Sequence, residues 1–238
     1  MDDLEDFVMR RLPTADRPLL GLTVLVVEDS RYACEAIRLM CIRSGARIRR
    51  ADSLRSAAKH LKVYRPAIVI IDLGLPDGSG TDLIRELAAC SPRVGVIIGV
   101  SGDDGARELA LEAGADGFLT KPIGALAEFQ ECILEHMPRE AAPRGIRKVP
   151  DDVLVPDTIA LKDDIAHVVD ILEHRSDRQT FDYVSQFLSG VAKSSGDDGL
   201  FGAVQNLLPP GKNDLPSAAA VAEISSLLKD RLAQAKIV

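Results

Sequence analysis

Apolar residues follow two rhythms along this chain, and the change comes near residue 138. Before it, short strand-length runs, most of them apolar, alternate with stretches at helical spacing. The runs are 22–27 (LTVLVV), 46–51 (ARIRRA), 67–72 (AIVIID), 94–100 (VGVIIGV) and 117–120 (GFLT), each of strand length. Ser30 predicts a helix N-cap, with Ala33, Ile37, Met40 and Cys41 on one face to about Ser44 and Gly45 as the stop. Ser53 caps a second predicted helix that ends near Tyr64-Arg65-Pro66; further helices are predicted over about 81–90, 104–113 and 124–136. Three of the runs are continuously apolar, the mark of strands buried on both faces. The run at 46–51 carries Arg47, Arg49 and Arg50, a charge load that suits an edge strand. Five strands alternating with five helices predict an α/β fold, a doubly wound five-stranded parallel sheet with helices on both sides.

Past this point the strand rhythm disappears. Pro138, Pro143, Pro150 and Pro156 mark a linker over 138–156. Four helical stripes follow: Ile165, Val168, Val169 and Leu172; Phe181, Val184, Leu188 and Val191; Leu200, Val204 and Leu207; and Val221, Ile224, Leu228 and Leu232. The chain therefore divides into an N-terminal extension at 1–18, an α/β domain at 19–137, the linker, and a small all-α domain at 157–238. The last is too small to bury much unless it packs on something else. In the extension, Leu4, Phe7, Val8 and Leu12 form one side of a potential amphipathic helix.

Charge separates the halves. Residues 1–150 hold 22 acidic and 21 basic residues, whereas 151–238 hold 14 acidic and 8 basic, within a net charge of -7. So acidic a second half argues against binding nucleic acid, which needs clustered Lys and Arg. The four cysteines contain no C-x-x-C pair and read as reduced, buried thiols of a cytosolic protein. The N-terminus lacks a signal-peptide apolar core. No apolar stretch approaches the roughly 20 residues needed to cross a bilayer. The expectation is a cytoplasmic protein with no membrane partner.

The chemistry sits where the predicted strands end. A doubly wound sheet binds ligands at the carboxyl ends of its strands. There the sequence places Glu28 and Asp29 after the first strand, Asp72 after the third, Ser101 after the fourth, and Thr120-Lys121-Pro122 after the fifth. Adjacent carboxylates cannot all ionise without a counter-charge. A hard dication, Mg2+ or Mn2+, supplies it through oxygen ligands, and a lysine holds a phosphate oxygen. The group is suited to placing a phosphoryl on one carboxylate, with Asp72 as nucleophile.

These residues carry a resemblance. "VVEDS", "IIDLGLPDGSG", "GVSGDD" and "GADGFLTKP", in that order over residues 20–137, resemble the receiver (CheY-like) domain of two-component response regulators, a flavodoxin-like fold. The resemblance implies Glu28, Asp29, Asp72 and the Gly74 backbone carbonyl as metal ligands. It implies Asp72 as the phosphorylated residue, Lys121 and Ser101 as phosphoryl contacts, Ser101 and Phe118 as the switch pair, and a cis Lys121–Pro122 bond. Phe118 stands where tyrosine is frequent and loses its hydroxyl; its inward swing on activation would still bury apolar area. Gly102 stands where alanine is frequent, which would loosen the loop.

Blander readings compete. Asp29, Asp72 and Lys121 could form a buried salt bridge, and Glu28 could be a solvated acid. Asp77 reads as a turn residue, and Asp103 and Asp104 as helix caps. Asp163, His167, Asp170 and His174 form an i, i+4, i+7, i+11 ladder opposite the Ile165 stripe; it reads as a solvated face rather than a metal or phosphorelay site.

The leading expectation is a non-enzymatic response regulator of a phosphorelay. A sensor histidine kinase or phosphotransfer protein phosphorylates Asp72, and the helical domain signals to an unknown protein target; a homodimer is compatible with this. The alternatives are a phosphotransferase or phosphatase using His167 or His174, a non-phosphorylated scaffold, and a flavodoxin-like cofactor binder.

Overall fold

The computed structural model describes residues 13–103, 105–138, 143, 156–207 and 215–234. Five strands, β1 (Thr23–Val27), β2 (Arg47–Ala51), β3 (Ile68–Asp72), β6 (Val96–Ser101) and β7 (Gly117–Thr120), form one parallel sheet in the order β2-β1-β3-β6-β7. Arginine-rich β2 is an edge, and the apolar β1, β3 and β6 lie inside, as their composition dictates. The helices α1 (Arg31–Arg43), α2 (Leu54–Val63), α3 (Gly80–Ala89), α4 (Ala106–Glu112) and α5 (Leu126–Leu134) alternate with them.

Period-two alternation sorts the strand side chains into two cores. Val24, Val26, Ile70, Ile98 and Val100 pack with Ile37, Met40, Phe129 and Ile133 of α1 and α5. Leu25, Val27, Val69, Ile71 and Ile97 pack with Leu83, Ile84 and Ala110 of α3 and α4. Ser30 caps α1, its hydroxyl accepting from the Ala33 N–H at 3.0 Å, and Ser53 caps α2. Gly45 ends the first helical unit at φ +84°.

Differences from the sequence reading are local. The fourth strand starts two residues later than expected and ends one later, at Ser101, whose carbonyl accepts from Lys121 N–H and stays in the sheet. α4 starts at Ala106 without a side-chain cap; the Asp103 main-chain carbonyl, not its carboxylate, receives the Ala106 N–H. Asp104, the extension up to residue 12 and the linker at 139–142 and 144–155 lie outside the described residues. Asp77 does occupy a turn, between the short antiparallel strands β4 (Gly74–Leu75) and β5 (Gly78–Ser79). Its carboxylate also accepts from Leu54 and Arg55 N–H at 2.8 and 2.9 Å, tying that hairpin to the start of α2.

The four C-terminal stripes are helices: α6 (Thr158–His174), α7 (Arg178–Ser195), α8 (Asp198–Gln205) and α9 (Ala218–Gln234). Ile165, Val168, Val184, Leu188, Leu200, Val204, Ile224 and Leu228 make their common core. Asp157, Asp177 and Asp197 cap α6, α7 and α8, and Asp197 also accepts from Arg231 of α9 at 2.7 and 3.0 Å. This small bundle rests on α1 and β4 through α6 and α7.

Candidate functional site

Parallel pairing of β1 with β3 puts Val27 beside Ile71, so Glu28 and Asp29 emerge next to Asp72. One carboxylate oxygen from each of these three acids lies within 4.8 Å of the other two. Lys121 directly follows β7, and the Lys121–Pro122 bond after it is cis, as expected. Its ammonium lies 2.7 Å from Glu28 Oε2 and donates to Asp72 Oδ2 at 3.0 Å. The other Asp72 oxygen, Oδ1, has a long 3.4 Å contact from the Gly74 N–H. Buried Ser101 stands on the neighbouring strand, its hydroxyl accepting from Asp103 N–H at 3.2 Å. The structure thus gathers Glu28, Asp29, Asp72, Ser101 and Lys121, with Gly74, around one cavity.

Three acids face one ammonium here, and burial sharpens the imbalance. Burial, then the Asp72 charge, pushes Asp29 up to about 7. The same two causes raise Glu28, whose side chain is fully buried. For Lys121 burial opposes the charge, but Asp72 and Glu28 outweigh it and hold the ammonium above its ordinary range. Surplus negative charge on clustered oxygen donors suits a hard dication, and Glu28, Asp29 and Asp72 fit that group chemically.

Phe118 is already turned inward. It is 7% exposed, in the core with Ile84 and Ala110, and an added Cβ on Gly99 would lie 3.2 Å from its ring. The apolar burial assigned to an activating swing is present in this structure, because Gly99 and Ala110 leave room for the ring.

The C-terminal bundle reaches the same cavity, which the sequence reading did not foresee. Tyr183 of α7 donates its hydroxyl to Asp29 Oδ2 at 2.7 Å; burial, then the Asp29 charge, raises its pKa. Gln186, Phe187, Gly190 and Val191 line the cavity wall. The Lys193 ammonium donates to the Gly102 carbonyl, so the glycine read as loosening the loop is held there. Asp164 of α6, 2% exposed, accepts from Ser30 Oγ at 2.7 Å, Arg31 N–H at 2.8 Å and Tyr32 N–H at 3.0 Å. A signal existed: Tyr183, Gln186, Gly190 and Lys193 recur at three- and four-residue spacing, a second stripe beside the apolar one.

The acid–histidine ladder splits. His167, Asp170 and His174 are exposed, as the solvated reading holds, whereas Asp163 pairs with Arg31 of α1. The His167 ring packs edge-on to Phe187 at 6.2 Å, and His174 Nδ1 lies 2.7 Å from the Asp170 carbonyl. Burial pushes the Cys34 and Cys41 thiols up to about 12. Cys90, expected to be buried, is exposed at the C-terminal end of α3.

Residues 24–133 match the family described as the response regulator receiver domain. The chain is 32% identical over 119 residues to the KDP operon transcriptional regulatory protein KdpE of Escherichia coli, covering 50% of this chain and 52% of that one. It is 33% identical over 104 residues to the virulence transcriptional regulatory protein PhoP of Salmonella typhimurium, covering 43% and 46%. The chain spans about half the length of the curated relatives it matches. Among solved structures, the receiver domain of a sensor histidine kinase from Pseudomonas aeruginosa, with a magnesium ion coordinated in its active-site cleft, is 28% identical over 48% of this chain and 96% of that one, at a TM-score of 0.44.

Proposed function

From the premise that residues 24–133 are a response regulator receiver domain, we propose that this chain takes a phosphoryl group onto Asp72 and signals through its helical bundle to a protein partner. The single observation that carries the reading is the convergence of Glu28, Asp29, Asp72 and Lys121 at one strand edge. Glu28, Asp29, Asp72 and the Gly74 carbonyl would hold Mg2+ or Mn2+. That ion would neutralise charge on the phosphoryl oxygens.

Asp72 Oδ1, the oxygen that Lys121 does not hold, attacks phosphorus. As the O–P bond forms, the P–N bond of a donor phosphohistidine breaks and its electron pair returns to the imidazole. Lys121 moves its ammonium from Asp72 Oδ2 toward a phosphoryl oxygen, and Ser101 donates its hydroxyl to another, releasing Asp103 N–H. The donor is a sensor histidine kinase or phosphotransfer protein, which places the chain in the cytoplasm; among the described residues no helix is long and apolar enough to cross a membrane. The relatives are named as transcriptional regulators, yet the acidic charge of 151–238 supports a protein target over nucleic acid. The bundle acts by binding rather than by catalysis.

One observation favours a second reading. His167 lines a groove that Asp29 and Tyr183 also border, which puts a histidine on the same side of the chain as the acid cluster. Incubation with acetyl phosphate and Mg2+ separates the readings. The proposal expects a phosphoryl mass on the Asp72 peptide that disappears in Asp72→Asn. Acid-labile phosphate on His167, lost in His167→Ala, would promote the second reading, and an unmodified Asp72 would leave a scaffold.

A further inference from the structure

We propose that the helical bundle is a lid on the acceptor site, and that metal binding and phosphorylation require α6 and α7 to lift. This deepens the function proposed above and rests on it. The lid contacts fall on the site or directly beside it. Tyr183 occupies Asp29 Oδ2, an oxygen placed to ligate the ion. Gln186 stands over Gly74 so closely that a Cβ there would lie 2.5 Å from its amide carbon. Lys193 holds the Gly102 carbonyl, on the loop that Ser101 must carry with it. Asp164 ties α6 to the three donors at the start of α1, immediately after the metal acids.

Space makes the same point. With α7 in place, the cavity among Asp72, Ser101 and Lys121 measures about 20 Å³. That is room for about one water. A hydrated dication together with a phosphoryl group does not fit. The closed form and the loaded form therefore exclude each other. A ligand that binds only the open form shifts the population toward it, and loosening the lid must tighten that ligand to the same degree.

The test uses the full chain with lid contacts removed away from the acid cluster. In Asp164→Ala/Lys193→Ala, Ser30 still caps α1, so the α/β domain keeps its own fold. Mn2+ affinity, read by electron paramagnetic resonance, is expected to tighten about fivefold over wild type. Hydrogen exchange at the Arg31 and Tyr32 amides, which now serve Asp164, speeds up in the variant and also in wild type once Mn2+ is added. Unchanged Mn2+ affinity in the variant, or exchange at these amides in wild type that Mn2+ leaves unchanged, overturns the lid. If affinity tightens but acetyl phosphate labels Asp72 in neither protein, the lid stands and the phosphoacceptor reading falls. A variant unfolded by circular dichroism is replaced by Lys193→Ala alone, judged by the same two readouts.

Discussion

Asp29 carries the clearest pH signature of any single residue. Its carboxyl is pushed from the ordinary 3.8 to about 7, chiefly by burial. Between those values the folded protein keeps a proton that the unfolded chain has released. Folding then takes up a proton, so stability falls as pH rises through this window and levels off above it. In chelator, the melting temperature of wild type should decline relative to Asp29→Asn from about pH 4 to about pH 7; a constant gap between the two would contradict the shift. The sequence alone made the five site residues legible, because each ends an apolar run and parallel strands deliver their ends to one edge. It did not make Asp164 legible. A buried acid on an amphipathic helix is written with the same letters as an exposed one, and its partners lie 132 to 134 positions away.

At the scale of elements, the alternation of five sheet strands with helices and the four helices after them followed from periodicity, while the strand order and the ends did not. β6 extends through Ser101 because of a main-chain bond to Lys121, and such a bond leaves no trace in hydropathy. The start of α3 is fixed just as closely. An added Cβ on Gly80 would lie 2.0 Å from the Asp72 carbonyl oxygen, a backbone atom that cannot yield without moving the acceptor. Gly80→Ala should cost about 1–3 kcal/mol of stability in urea titrations and slow labelling of Asp72 by acetyl phosphate. A fully stable variant with undiminished labelling would show the helix start to be freer than drawn. Phe118 belongs at this scale as well. Its pocket, made by Gly99 and Ala110, comes from β6 and α4 and is full before any modification.

For the whole molecule, the sequence divided the chain into a sheet domain and a helical bundle but said nothing of how they meet. The bundle was expected to need a surface to rest on, since its own core is small. That surface is the mouth of the cavity among Asp29, Asp72, Ser101 and Lys121, so residues of both halves line it. Small-angle scattering should register the consequence. With Mg2+ and acetyl phosphate the radius of gyration of wild type is expected to rise, and that of Asp72→Asn to stay lower; a fall in wild type would mean that loading compacts the chain. Because Lys193 grips a main-chain oxygen at Gly102, no side-chain replacement at 102 can delete the acceptor. An alanine Cβ there would meet the lysine stem at 3.4 Å. A small side chain at 102 therefore leaves that bond's acceptor in place, whereas replacing Lys193 removes its donor.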